Sequence, residues 1–135
     1  MTILRKFERL DTRLRAKTRE SRRHISTHNE VISVAKDRFL ARMDANDIGM
    51  LGRFTEQVDF LQNHPEVLAM SAAVIQISEA GLKIEHIRCS LDHGSIEAQL
   101  LDGQDGQCAI VHPAVMMRAK AMAKLGMYRL KFRHA

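Results

Sequence analysis

Aromatic residues are scarce in this 135-residue chain, at 4%, with no Trp and one Tyr. Packing therefore falls to Leu, Ile, Val, Ala and eight Met. The thioether side chains serve either as core filler or as an adaptable apolar groove for a partner helix. Cysteine is almost as rare: two in a chain of this size do not make a disulfide framework, which points to a reducing compartment, read here as the cytoplasm. No apolar run approaches the roughly 18 residues that a transmembrane helix needs. The basic N-terminus is not followed by an apolar h-region, so it does not read as a secretory signal. No membrane partner is expected. Also missing are a phosphate-binding Gly-rich loop ahead of Lys-Ser/Thr, a dinucleotide fingerprint and Gly-x-Ser-x-Gly. Neither an enzyme nor a cofactor is therefore expected, although catalytic groups assemble in space and the absence bears only on known motifs.

What the chain does have is charge sorted by position. Residues 1–23 carry nine Lys/Arg against three acids, a net +6; residues 24–117 carry six bases against thirteen acids; residues 118–135 carry six bases and no acid. A basic head and tail flank an acidic middle, within an overall charge of +5. An anionic partner follows from that arrangement, without being named by it.

The hydrophobic periods point to an α+β fold, with helices over roughly the first 80 residues and then a β-β-β-α-β unit. Ile3, Phe7, Leu10, Leu14, Ser21, Ile25, His28, Ile32, Ala35, Phe39 and Met43 recur near the helical period. Either one helix spans residues 3–43, about 60 Å at 1.5 Å per residue, or two helices meet near Ser26, where Thr27 and Glu30 make a capping-box pattern. A break is the favoured reading. A second helical pattern covers residues 48–61, weakened at its start by Gly49 and Gly52. A third covers residues 65–80, opened by Pro65 and stopped by Gly81. Residues 83–91, 95–101 and 107–111 read as a three-stranded meander separated by Asp92-His93-Gly94 and by residues 102–106. Pro113 opens a last helix to Leu125, and Tyr128, Leu130 and Phe132 alternate with Arg129, Lys131 and Arg133 as a half-buried strand. The division expected is a helical segment, 1–81, and a small α+β unit, 82–135, the two able to share one core.

Four constellations stand out. On a continuous N-terminal helix, Arg5, Arg9, Arg13, Arg19 and Arg23 share the face opposite Ile3, Phe7, Leu10 and Leu14. Guanidinium groups in a row offer paired donors to phosphates. The same face could instead be solvated or could dock on an acidic protein surface. Arg129, Lys131 and Arg133 form a second cationic strip, with edge-strand protection as its plain alternative. Cys89-x3-His93 and Cys108-x3-His112 have the residue types of a zinc site. Each pair, however, would stand about 13 Å apart in an extended strand, so zinc is not assigned. His24 and His28 lie one helical turn apart without a carboxylate to complete a metalloprotease pattern; His28 falls on the apolar stripe, where a neighbouring His would make it pH-responsive.

The sequence thus leads to a non-catalytic nucleic-acid-binding protein, DNA or RNA, contacting phosphates through Arg5, Arg9, Arg13, Arg19, Arg23, Arg129, Lys131 and Arg133. The alternative is an interaction module that docks its basic helix on an acidic protein partner. In either case a homodimer would bury the apolar face of that helix.

Overall fold

The computed structural model describes residues 2–18, 24–102 and 109–129, without the side chains of Thr2 and His24. The fold is α+β. In chain order it runs α1 (Thr2–Leu10), α2 (His24–Val34), β1 (Phe39–Ala41), α3 (Arg53–Asn63), β2 (Ala69–Ser71), β3 (Val74–Ile77), β4 (Lys83–Ile87), α4 (His93–Asp102), β5 (Val115–Arg118) and α5 (Ala119–Leu125). A single 3-10 turn, His112–Ala114, leads into β5.

The core is organised by β5, which lies between β1 and β2 and is antiparallel to both. Leu40 faces Met117 in one register, and Met70 faces Met116 in the other. A strand covered on both faces can be apolar at successive positions rather than alternate positions. Val115, Met116 and Met117 are all buried. The Met-rich stretch is thus core, in the middle of a sheet whose outer strands come from before Gly81 and whose central strand comes from after it.

Helix α3 closes one side through Leu61, which is fully buried, and through the buried side chain of Gln57. Gln57 Nε2 donates to the Ala114 carbonyl at 2.9 Å, where the chain enters β5. The helix starts only after Gly52, whose φ of 83° is a left-handed conformation open to glycine. Its far end is held by Arg118, which donates from Nη2 to the Leu61 and His64 carbonyls and from Nε to the Val67 carbonyl. A guanidinium at that position supplies donors to carbonyls that the helix leaves unpaired and suits the negative end of its dipole. Strands β3 and β4 form a separate hairpin, with Val74 opposite Ile87 and Ile75 opposite His86.

Several segments differ from their sequence expectation. The N-terminal pattern is neither one helix nor two meeting at Ser26. Helix α1 stops at Leu10, residues 11–18 are not helical, and Thr27 lies inside α2. Local side chains draw the backbone away from helix geometry there. Asp11 accepts from the Arg13 backbone N–H at 2.9 Å, and Glu8 accepts from the Ala16 N–H at 3.0 Å. Residues 65–80, expected as a helix, instead supply β2 and β3, in keeping with the β-branched Val74, Ile75 and Ile77. Residues 95–101, expected as a strand, belong to α4, because Asp92 caps rather than turns. Its Oδ1 accepts from the Ser95 backbone N–H at 2.9 Å. The last helix begins at Ala119 rather than at Pro113, the intervening residues forming the 3-10 turn and β5. Of the expected strand at 107–111, residues 109–111 carry no strand and the rest lies outside the described residues. Tyr128 and Arg129 are likewise not in a strand, and residues 130–135 fall outside the described residues.

Candidate functional site

A dense polar cluster forms where β1 ends. Arg42 follows that strand and continues its ladder, its N–H donating to the Val115 carbonyl at 2.9 Å. Its side chain is only 18% exposed. Nη1 donates to Nδ1 of His112, and Nη2 donates to Asp44 Oδ1 at 3.0 Å. Arg42 Nε is buried and has no hydrogen-bond partner among the described residues. Asp44 and Asp47 close the following turn. The Asp44 N–H donates to Asp47 Oδ2 at 3.3 Å, and the Asp47 N–H donates to the Asp44 carbonyl at 3.2 Å.

Arg53, one turn of chain further on, fixes this corner from behind. Its Nη2 donates to the carbonyls of Arg42 (2.8 Å) and Pro113 (3.2 Å), while Nε donates to Gln57 Oε1 at 3.2 Å. Burial lowers the pKa of its guanidinium and the nearby Asp47 carboxylate acts in the opposite direction.

On the other side stand His112, Tyr128 and His28. His112 Nε2 lies 2.8 Å from the Tyr128 hydroxyl oxygen. The rings of His28 and Tyr128 are 5.6 Å apart, those of His28 and His112 are 6.2 Å apart, and those of His112 and Tyr128 meet edge-on at 5.5 Å. Burial first, then the Arg42 cation and His28, hold the His112 imidazole below its ordinary pKa, with Asp44 in opposition. Burial also raises the Tyr128 phenol, against a lowering effect of Arg42. Both groups are therefore neutral around neutral pH. Asn29 of α2 secures the tyrosine: its Nδ2 donates to the Tyr128 carbonyl at 2.8 Å and its Oδ1 accepts from the Tyr128 N–H at 2.9 Å.

The expected phosphate-binding arginines are placed differently. With α1 ending at Leu10, Arg5 and Arg9 lie on it, but Arg13 lies beyond it, so the row of five on one helix face does not form. Arg5 pairs with Glu8 at 2.6 Å, and Arg13 grips Asp11 through Nε and Nη2, the shortest contact being 2.7 Å. Arg9 and Arg129 are exposed. Arg19, Arg23, Lys131 and Arg133 lie outside the described residues. Among the four residues of the zinc-like spacing, Cys89 is a free thiol, His93 opens α4, His112 is engaged by Arg42 and Tyr128, and Cys108 lies outside the described residues. Among the described residues no group of three or more His, Cys, Asp or Glu is arranged to hold a metal ion, and no helix is long and apolar enough to cross a membrane.

Sequence reasoning missed Arg42, Asp44, Arg53 and Tyr128 as a set. The one local signal for them is Asp44-Ala45-Asn46-Asp47, a turn shortly after β1. His28 and His112 were singled out, but for other partners.

No protein-family profile matches the chain, and no solved structure matches it. Over 55 residues it is 42% identical to the amylovoran biosynthesis glycosyltransferase AmsE of Erwinia amylovora. That stretch is 41% of this chain and 17% of the Erwinia protein, so the likeness concerns a small part of that enzyme.

Proposed function

We propose that this chain binds a phosphate-activated sugar and takes part in glycosyl transfer. The observation that carries the reading is the cluster at the end of β1, where Arg42, Asp44 and His112 converge with Tyr128. The partial likeness to a glycosyltransferase supports it. In such a transfer the bond from the anomeric carbon to the phosphate oxygen breaks, its electron pair stays on the phosphate, and an acceptor hydroxyl oxygen bonds to the carbon and gives up its proton to solvent. Negative charge grows on the leaving phosphate, and a fixed guanidinium in a partly buried site stabilises it better than water does. Arg42 is that group, with the Nη hydrogens not given to His112 and Asp44 as the remaining donors. Arg53 holds the Arg42 carbonyl and so fixes where Arg42 stands.

The test is calorimetric titration of the purified full chain with UDP-glucose, UDP-galactose and GDP-mannose, with and without magnesium. Saturable binding of one of them, weakened at least tenfold by Arg42→Ala in a variant with unchanged unfolding behaviour, is the expected result. No binding of any of the three overturns the reading.

Nucleic-acid binding through the basic head remains a second reading, favoured by the +6 charge of residues 1–23 and weakened by the pairing of Arg5 and Arg13 with neighbouring carboxylates. Anisotropy titrations against duplex DNA, single-stranded DNA and RNA at two salt concentrations test it. Tight binding that falls steeply with salt supports it, and feeble binding to all three removes it.

A further inference from the structure

We infer that the Tyr128 hydroxyl donates a hydrogen bond to an oxygen of the bound sugar donor and that His112 positions it. This rests on the sugar-transfer reading of the same site.

Arg42, His112 and Tyr128 form one chain of contacts along which the protons can be placed. Arg42 has only donors, so the nitrogen it meets must accept. That nitrogen is His112 Nδ1. A neutral imidazole with Nδ1 as acceptor carries its hydrogen on Nε2. His112 Nε2 therefore donates to the Tyr128 oxygen, 2.8 Å away. A phenol whose oxygen already accepts has its own O–H left to give, and in a half-buried position that hydrogen is open to a ligand in place of solvent. The neighbouring groups do not compete equally for it. Asp44 is held by Arg42 Nη2, and the Asn29 amide is committed to the Tyr128 backbone through both its ends.

The rest of the surroundings supports the same tautomer. Arg42, His28, Asp44 and Tyr128 are the charged or titratable groups that face His112. Protonated His112 would turn an Nδ1–H toward the Arg42 guanidinium, donor against donor. Neutral His112 makes a matched relay from guanidinium to imidazole to phenol. The two-point grip of Asn29 on the Tyr128 backbone then sets the direction of the phenol. An oxygen of the donor phosphate and an oxygen of the sugar ring are chemically alike as acceptors, and both lie within the ligand class that Arg42 is proposed to bind.

Three measurements test the inference. The first titrates wild type and Tyr128→Phe with UDP-glucose and with UDP alone, after unfolding curves show that the variant is folded. Loss of one hydrogen bond to the ligand weakens binding by about tenfold. A loss for both ligands places the contact on phosphate, and a loss for UDP-glucose alone places it on the sugar. Equal binding by wild type and variant overturns the inference and leaves the sugar-transfer reading intact. Absence of binding by the wild type overturns both. The second measurement needs no ligand or variant. Two-dimensional 15N spectra of the histidine side chains should show the His112 hydrogen on Nε2 at neutral pH. A hydrogen on Nδ1, or on both nitrogens, overturns the inference. His112→Gln, which can still donate toward Tyr128, should retain more affinity than His112→Ala.

Discussion

Asn29 and Tyr128 join two distant parts of the chain by a double hydrogen bond, in which the amide of one side chain satisfies both backbone groups of the other residue. Asn29→Ala leaves a half-buried N–H and C=O without partners and should cost about 1–3 kcal/mol, read as a lower urea midpoint. Asn29→Asp keeps the acceptor but sets a carboxylate oxygen against the Tyr128 carbonyl, so it should not restore the wild-type midpoint. Both variants should also weaken UDP-glucose binding, because the grip orients the phenol. A normal midpoint for Asn29→Ala would show that water replaces the amide without penalty.

Arg118 staples the end of α3. Three carbonyls accept from one guanidinium, which also stands 5.5 Å from the Phe39 ring centroid. An ammonium is a compact charge and cannot spread over those acceptors in the same plane. Arg118→Lys should therefore destabilise by about 1–3 kcal/mol although charge is conserved. Equilibrium unfolding in urea measures this, and near-wild-type stability for the lysine variant would show that the charge alone holds the helix end.

The pH response of stability should carry the mark of His112. Its folded pKa lies below the ordinary value of 6.5, chiefly through burial and then through Arg42 and His28. The unfolded chain therefore takes up a proton before the folded one does. Stability from this group is complete above 6.5, falls as pH drops from there toward the lowered folded value, and levels off beyond it. The carboxylates act lower down. Glu8 and Glu66 are lowered from 4.5, Asp92 is lowered from 3.8, and Asp11, held by Arg13, falls from 3.8 to about 2. Their contributions are present above those ordinary values and are lost in more acid solution, so the two windows separate. Unfolding free energies measured at steps from about pH 7.5 to 5 should slope downward for wild type and run flatter for His112→Gln. Equal slopes would show that His112 is not protected from protonation.

The α+β class could be read from the chain because its broad rhythm is strong, whereas several element types could not. Val115-Met116-Met117 is a run of apolar residues bounded by Pro113 and Gly126. Such a run fits a buried strand and a buried helix alike, and only the β1 and β2 partners decide it. Residues 65–80 failed for the same reason. Asp92-His93-Gly94 carries both a turn signal and a helix cap, and the hydrogen bond from Ser95 to Asp92 decides for the cap. The candidate site was legible only in pieces. His28 and His112 drew notice, but the contact of Arg42 and His112 spans 70 positions and that of Asn29 and Tyr128 spans 99. No local spacing encodes a meeting of that kind. The charge pattern was more visible and pointed elsewhere, to arginines of which Arg5 and Arg13 are taken up by their near neighbours.

Gln57 tests how far the core depends on polar contacts. It is 2% exposed, donates to the Ala114 carbonyl and accepts from Arg53 Nε. Leucine at this position raises the apolar content of the core but leaves both partners in place, and it is the stranded partners that are costly. Gln57→Leu should destabilise by about 2–4 kcal/mol, the sum of two unsatisfied groups. Removing the guanidinium as well changes the accounting, because one of those stranded groups no longer exists. The double variant Arg53→Met/Gln57→Leu should then lose less than the sum of the two single losses, with a coupling of about 1 kcal/mol between residues in direct contact. Strict additivity in urea unfolding would mean that Arg53 Nε finds water when Gln57 is gone. In that case the corner behind Arg42 is open to solvent, and the fixed guanidinium proposed to stabilise a leaving phosphate would lose the rigid support on which its advantage over water depends.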